Sequence, residues 1–256
     1  NSIEEDHGYQ QIKEKFGIDR TSWWVCFHAR DNAYLGNQHL SYHSYRDSDI
    51  SNMEEAMNFV TSLGGYAIRY GSSVNKKISS KNSKIIDYSN SDHQSDFLDL
   101  FLCAKAKIFI GNTSGPRDLA KMFSVPYALT NLIGYMHLTP LPHSLFSPKK
   151  IKTLNGKILS FKECSNLGLF DPVVGKKFCT SEAFSEMGLI PIENSQTEIL
   201  GIVKDMFQLI KNEKPEKNIS KLQANFKINY FNYSKDIMDS GNLAPSFISS
   251  NLELFD

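Results

Sequence analysis

Short apolar runs and longer amphipathic patterns alternate along the first half of the chain. Short runs rich in β-branched and aromatic residues predict buried strands. These runs are WWVCFHA (23–29), GYAIRYG (65–71), KIIDYS (84–89), KIFIG (107–111) and YALTNL (127–132). Helical patterns lie between them, among them SDFLDLFLCAKA (95–106). Strands that alternate with helices predict an α/β fold with a mainly parallel, Rossmann-like sheet.

Two helices carry sequence signals at their first turn. Ser51 and Glu54 have the spacing of a capping box, and the apolar residues after them repeat at helical intervals until a pair of glycines. Ser195 and Glu198 repeat the signal, and the pattern after them predicts a long helix that ends near Lys211.

The second half of the chain has a weaker pattern. Residues 133–163 contain three prolines and an Asn-Gly turn signal, which predict an excursion or lid with one hairpin. We therefore divide the chain into an N-terminal segment (1–21), a Rossmann-like domain (22–212) and a tail that packs back on it (213–256). The N-terminal segment is interpreted as the remnant of a missing domain.

Charge and cysteine content narrow the class of protein. Lys plus Arg equals Asp plus Glu at 28 each, so no bulk positive field favours nucleic acid. No apolar run approaches the roughly 20 residues that cross a bilayer, and the polar start does not read as a signal peptide. The four cysteines are scattered without a CxxC pair, which favours reduced thiols over disulfides or zinc. A cytoplasmic protein is the expectation.

The turn in FIGNTSGPRDLAKMF (109–123) has features that suit an anion. A helix N-terminus carries unpaired N–H groups and partial positive charge, and small residues let an anion approach them. Pro116 fits the first helical position, where its missing N–H is no loss. The alternative is an ordinary strand-to-helix connection, which this turn by itself does not exclude.

Three arginines fall where the predicted sheet would present them to a ligand: Arg30, Arg46 and Arg69. Arginine binds phosphate oxygens through bidentate, charge-assisted hydrogen bonds. His28 lies two residues before Arg30 on the same strand face and could donate to a phosphate or contact a hydroxyl. The alternatives are surface arginines, a core histidine, and carboxylates that only orient an arginine, for which Asp31 and Asp47 are placed.

Metal binding has little support in the sequence. His39 and His43 have the spacing of a helical metal pair, but the glutamate of HExxH is missing and the context is a loop. No GxSxG, Walker A or GxGxxG motif occurs. We expect no metal site and no cofactor.

Several segments resemble a family of bacterial glycosyltransferases from surface-polysaccharide gene clusters. The matching words are HARD, YHSYRDSDISNMEEAMNFVTSLGGYAIRYG, DFLDLFLCAKAKIFIGNTSG, LAKMFSVPYALTN, GKILSFKE and APSFISSNLELF. More distantly, the chain is similar to the donor-binding, C-terminal half of two-domain GT-B fucosyltransferases. The resemblance places His28 and Arg30 on the HxR motif and residues 113–115 on the turn that faces the donor diphosphate. Asp31 stands where that pattern often has a second arginine.

The resemblance implies a metal-independent glycosyltransferase that moves a sugar from a nucleotide-diphosphate donor to a carbohydrate or lipid-linked acceptor. It would work in the cytoplasm, with peripheral association at the inner membrane face left open. The expected catalytic residues are Arg30, Asp31 and Arg46. The residues expected to bind the nucleotide sugar are His28, Arg69, Asn112, Thr113, Ser114 and Gly115. A non-catalytic sugar-nucleotide-binding domain and a sugar-nucleotide epimerase are the alternatives.

Overall fold

The computed structural model describes residues 2–35, 41–72, 74–134, 143–171, 173–231 and 241–256. The strands are β1 (Trp24–His28), β2 (Tyr66–Arg69), β3 (Ile85–Asp87), β4 (Ile108–Gly111), β5 (Tyr127–Leu132), β6 (Ser144–Pro148), β7 (Lys150–Thr153), β8 (Leu189–Ile192) and β9 (Asn242–Leu243). The helices are α1 (Ser2–Phe16), α2 (Glu54–Ser62), α3 (Asp96–Ala104), α4 (Gly115–Met122), α5 (Phe161–Asn166), α6 (Ser181–Glu186), α7 (Gln196–Ile210), α8 (Lys217–Phe231) and α9 (Pro245–Ser250).

The central sheet has seven parallel strands in the order β3-β2-β1-β4-β5-β6-β9. The chain therefore runs outward from β1 to β3, returns to the middle, and continues outward on the other side from β4. This arrangement confirms the predicted α/β, Rossmann-like, mainly parallel fold. In such sheets the connections diverge between β1 and β4, and a crevice opens at the carboxyl ends of those two strands.

Helices flank the sheet, as a parallel sheet with two apolar faces requires. Helix α3 contacts α1 and α4, whereas α7 contacts α2 and α9, and α9 also contacts α8. The inner strands are buried along their whole length. The sheet is consequently a rigid platform that fixes the loops at its carboxyl edge.

Two helix starts test the capping signals. Ser195 and Glu198 form the predicted capping box at α7, and the helix ends at Ile210 as expected. The prediction at Ser51 was wrong, because Asp49 caps a preceding 3₁₀ turn by accepting from the Ser51 amide and no side chain caps α2 itself. An aspartate two residues upstream out-competes the serine for that role.

The second half of the chain departs from the predicted excursion. Residues 144–148 form β6, which extends the parallel sheet, and β9 pairs with β6 at the sheet edge. The Asn-Gly signal does mark a turn, because Lys152 bridges to Ile158 across it, but β7 takes β8 as its antiparallel partner. Residues 135–142 of the predicted lid lie outside the described residues.

The ends of the chain also contribute to the fold. Segment 2–16 is the helix α1, which lies against α3 and buries Ile12. In the tail, α9 contacts α7. The cysteines are free thiols, as expected, with Cys26, Cys103 and Cys164 buried. Within the described ranges, none of the helices combines the length and apolar character needed to cross a membrane.

Candidate functional site

A cavity of about 410 Å³ opens at the carboxyl ends of β1, β2 and β4, where the strand order reverses. Its lining comes from the ends of these strands, from α3 and from the start of α4. The lining residues are His28, Ala29, Arg30, Asp31, Arg46, Tyr70, Gly71, Ser72, Asp99, Ser114, Gly115, Pro116 and Leu119. The size falls in the range of small-molecule sites, which is about 300 to 1,000 Å³.

His28 ends β1 and is held in one orientation. Its Nδ1 lies 2.9 Å from the carbonyl oxygen of Tyr70, and its ring stacks near that of Phe109. A carbonyl only accepts, so Nδ1 carries the proton and Nε2 keeps a lone pair. Burial lowers the pKa of His28 to about 4, so the ring is neutral near pH 7. Nε2 is buried and has no hydrogen-bond partner among the described residues.

Two glycines make room for this ring. Gly71 has a φ of +146°, and a Cβ there would lie 3.2 Å from His28 Nδ1. A Cβ on Gly111 would lie 3.0 Å from His28 Cβ. A Cβ at either position would therefore require His28 to shift by a few tenths of an ångström, and at Gly71 the positive φ adds backbone strain.

Arg30 lines the cavity but is already paired. Its Nη1 donates to the carboxylate of Asp47 and, at 3.2 Å, to the backbone oxygen of His43. The pair is mostly shielded, with 14% of the Arg30 side chain and 24% of the Asp47 side chain exposed. Burial raises the pKa of Asp47 against the attraction of Arg30. The ion pair weighed as the alternative for Arg30 is present, and its partner is Asp47.

Arg46 differs from Arg30 because no carboxylate pairs with it among the described residues. Its Nη2 donates to the backbone oxygen of Thr113, and its Nε is buried without a partner. Burial lowers the pKa of Arg46, the nearby Arg30 and Arg117 lower it further, and Tyr45 and Asp47 raise it by smaller amounts than burial lowers it. Arg46 is thus a half-buried cation at a cavity wall with other cations beside it.

The turn 112–115 combines a buried tether with an accessible helix start. Asn112 Oδ1 accepts from the Arg30 amide at 3.0 Å and from Ser48 Oγ at 2.9 Å, while its Nδ2 donates to the Thr130 carbonyl at 3.4 Å. Asn112 and Thr113 are buried and do not line the cavity. Asn112 therefore fixes the loop after β1 against the turn after β4.

Ser114 and Gly115 are the residues of this turn that reach the cavity. Ser114 occupies the N-cap position of α4, yet its side chain makes no capping hydrogen bond to the helix. Pro116 lies in the first turn, so the helix starts at Gly115, one residue before the predicted start. A Cβ on Gly115 would meet no atom within 4 Å, which shows open space beside this helix end.

Asp31 lines the cavity, but its carboxylate is hydrogen-bonded to backbone amides of the neighbouring loops. Oδ1 accepts from the Ala33 amide and Oδ2 from the Asn75 amide, each at 2.9 Å. Both oxygens thus hold backbone in place. This geometry favours a structural role for Asp31 over that of a general base.

Arg69 does not reach the cavity. Its side chain is 1% exposed, donates to the Lys76 carbonyl and lies 3.5 Å from Asp87 Oδ1. The register explains the difference, because Arg69 pairs with Phe27 and so points to the sheet face opposite that of His28. The structure brings His28, Arg30 and Arg46 together and leaves Arg69 beneath the neighbouring loop.

Sequence reasoning missed two other polar groups near this site. Asp99 of α3 lines the cavity, accepts at Oδ1 from Tyr88 Oη at 2.5 Å, and has its pKa raised by burial. Lys149 is buried and donates to the Asp47 carbonyl at 2.7 Å, and burial lowers its pKa. Neither follows a strand end that the sequence pattern identifies, so no local signal could have found them.

The expectation about metals concerns His43, since His39 lies outside the described residues. His43 is part of a 3₁₀ turn, and its backbone oxygen accepts from Arg30. Within the part of the chain that the structure describes, no cluster of three or more His, Cys, Asp or Glu side chains has a metal-binding arrangement.

Comparisons with family models, curated proteins and solved structures gave no match. The cavity offers two kinds of chemistry: an electropositive wall at Arg46 and the start of α4, and acceptor groups at His28 and Asp99. The first suits an anion and the second suits hydroxyl groups.

Proposed function

We propose that this chain binds a nucleotide-diphosphate sugar in the β1/β4 cavity and forms the donor-binding part of a metal-independent glycosyltransferase. The observation that carries the proposal is Arg46, a half-buried cation without a carboxylate partner in the described structure, at the cavity wall. A buried charge is costly unless it is paired, and a bound phosphate would supply the missing partner.

The helix start beside this arginine adds to the attraction. The Gly115 amide has no place in the helical ladder, whereas Pro116 has no N–H and the Arg117 amide donates to the Ser114 backbone oxygen at 3.1 Å; the helix dipole is positive at this end. Gly115 leaves space for a close approach, and Ser114 keeps its hydroxyl out of the capping position. A diphosphate can thus be bound between Arg46 and α4 by charge and by backbone donors.

The same groups would serve sugar transfer. Cleavage of the bond between the sugar and the diphosphate leaves negative charge on the departing diphosphate. Arg46 and the α4 N-terminus are fixed before the reaction, so they stabilise that charge without reorganising. Arg30 adds a smaller contribution because Asp47 already neutralises part of its charge.

The carbohydrate or lipid-linked acceptor, the role in cell-surface polysaccharide synthesis and the cytoplasmic location are further parts of the proposal. They are supported by the resemblance of the sequence segments to the glycosyltransferase family, and no residue of the site bears on them. A non-catalytic sugar-nucleotide-binding domain is the second candidate, and the geometry of Asp31 favours it. Both oxygens of this expected catalytic carboxylate are bound to backbone amides.

A thermal-shift panel tests the proposal. The probes are UDP, GDP, UDP-glucose, GDP-mannose and inorganic pyrophosphate, with AMP and glucose as comparison ligands. A ligand at ~100 times its Kd stabilises the folded protein by about 2.7 kcal/mol, which moves the melting temperature by several degrees. Stabilisation by diphosphates over AMP and glucose supports the proposal, and no response to any diphosphate at millimolar concentration refutes it. An assay for the release of UDP or GDP from the nucleotide sugar then distinguishes an enzyme, which hydrolyses or transfers the sugar, from a binding domain, which does not.

A further inference from the structure

Three residues of the cavity lining share a chemistry of their own. Tyr70 joins the other two, because its backbone oxygen contacts His28 Nδ1 and its hydroxyl donates to the Asp99 backbone oxygen; we call His28, Tyr70 and Asp99 the acceptor end. Each polar group that they offer to a ligand accepts hydrogen bonds, and none is an anion-binding donor. A phosphate at this end would meet a lone pair and a carboxylate, which repel it.

His28 supplies the first acceptor. The contact of Nδ1 with the Tyr70 carbonyl fixes the tautomer, so the remaining nitrogen, Nε2, carries a lone pair. The side chain is 9% exposed, and Nε2 has no hydrogen-bond partner among the described residues. A buried polar atom without a partner is rare in folded proteins, and an O–H donor from a ligand would satisfy this one.

Asp99 supplies the second acceptor. Its Oδ1 is bound by the Tyr88 hydroxyl, which orients the carboxylate and leaves Oδ2 for another donor. The Tyr70 hydroxyl donates to the Asp99 backbone oxygen at 3.0 Å, so Tyr70 offers its ring rather than its polar end to the cavity. An aromatic face beside a carboxylate and a lone pair suits a sugar ring, which has C–H faces and hydroxyl edges.

We propose that the acceptor end binds a polyhydroxyl ring of the ligand through O–H donors to His28 Nε2 and Asp99 Oδ2. The inference rests on the proposed function for the diphosphate that lies at Arg46. The ring has two sources in a nucleotide sugar: the ribose or the transferred hexosyl group. The shared requirement is a ring with unblocked hydroxyls.

A pair of substitutions at His28 isolates Nε2. His28→Asn keeps a donor near the place of Nδ1 for the Tyr70 carbonyl and removes the acceptor. His28→Gln keeps a polar atom near the place of Nε2, where its amide oxygen can accept. We expect His28→Asn to weaken ligand binding by about three- to tenfold, the effect of one lost hydrogen bond, and His28→Gln to restore part of that loss.

Calorimetry distinguishes the two sources of the ring, with UDP, GDP, their 2′,3′-dideoxy analogues, UDP-glucose, GDP-mannose and inorganic pyrophosphate as probes. If the hexosyl group binds at His28, His28→Asn weakens only the sugar conjugates. If the ribose binds there, it weakens UDP and GDP as well, but not pyrophosphate or the 2′,3′-dideoxynucleoside diphosphates. Equal affinities of wild type and His28→Asn for every probe overturn the inference and leave the proposed function standing.

A second arm uses methyl glucoside and methyl mannoside without phosphate, observed by saturation-transfer NMR. Binding of these glycosides that is lost in His28→Asn, together with no binding of any diphosphate, would support the acceptor end and refute the proposed function. No binding of either kind of probe refutes both. Asp99→Asn, which keeps an oxygen for Tyr88 and replaces the other by a donor, should reproduce the His28→Asn pattern.

Discussion

Replacement of Arg46 by methionine tests whether this residue contributes to ligand binding or to the stability of the fold. Methionine keeps most of the length and apolar surface of the side chain but removes its charge and its donors. In the folded protein this loses the hydrogen bond to the Thr113 carbonyl and the attraction of Asp47, and also relieves the repulsion by Arg30 and Arg117. These effects oppose each other, so the free energy of unfolding without ligand should change by no more than about 1 kcal/mol.

Binding should respond much more strongly. A charge-assisted contact with phosphate is worth about 1.5–3 kcal/mol, which corresponds to a roughly 10- to 150-fold rise in the Kd for UDP or GDP. Isothermal titration calorimetry gives the Kd, and urea unfolding gives the stability. Arg20→Met is the matched control, because Arg20 is exposed, pairs with Asp6 and does not line the cavity.

Two outcomes would exclude Arg46 as the residue that binds the phosphate. If Arg46→Met binds the nucleoside diphosphates as tightly as Arg20→Met, Arg46 is not the phosphate partner. If Arg46→Met instead lowers stability by several kcal/mol without ligand, the arginine holds the loop after β1 in place and its charge is satisfied within the protein.

Three further predictions follow from the same contacts. Arg30→Met should lower the free energy of unfolding by about 1–3 kcal/mol, because it leaves the Asp47 carboxylate shielded and unpaired. In urea unfolding, the double variant Arg30→Met/Asp47→Asn should recover part of that loss. Strictly additive losses would show that the two side chains do not interact. Asn112→Ala should cost about 2–3 kcal/mol because it leaves the Arg30 amide without its acceptor, whereas Ser48→Ala, which removes only one donor to Asn112 and leaves that acceptor in place, should cost less; equal losses would contradict this role. The pKa of His28 is about 6.5 in the unfolded state and about 4 in the folded state, so the unfolded state binds more protons between these values. The free energy of unfolding of the wild type should therefore fall by up to about 3 kcal/mol from pH 6.5 to 4, relative to that of His28→Asn. Parallel pH profiles of the two proteins would contradict a buried neutral imidazole.

Local patterns were enough to predict the strands around the site. The apolar run before Arg30 gave β1 to within one or two residues, and the small-residue turn gave the start of α4 to within one residue. These predictions succeed because strand burial and helix starts depend on residues that are close in sequence.

The pairing of side chains across the site could not be read in the same way. Arg69 is near a strand end, but only the register with Phe27 shows that it lies on the other sheet face. Asp47 follows Arg46 in the sequence, yet the loop turns its carboxylate to Arg30. Asp99 enters the cavity because of the way α3 lies on the sheet, which no local pattern encodes.

Strand β9 in the C-terminal tail shows a second limit of prediction from local sequence patterns. Strand β9 has two residues, too few for any periodicity, and its place beside β6 depends on contacts that close only when the sheet is complete. Short edge strands of this kind are determined by tertiary pairing more than by their own residues.

A diphosphate bound at Arg46 and the start of α4 is the feature on which the proposed function depends. The most direct measurement is a crystal structure of the protein with the nucleotide sugar that binds best in the panel. We predict phosphate oxygens within hydrogen-bond distance of the Arg46 guanidinium and the Gly115 amide, with the sugar or ribose ring toward His28. Diphosphate density at any other position, with this cavity empty, would contradict the proposed binding site.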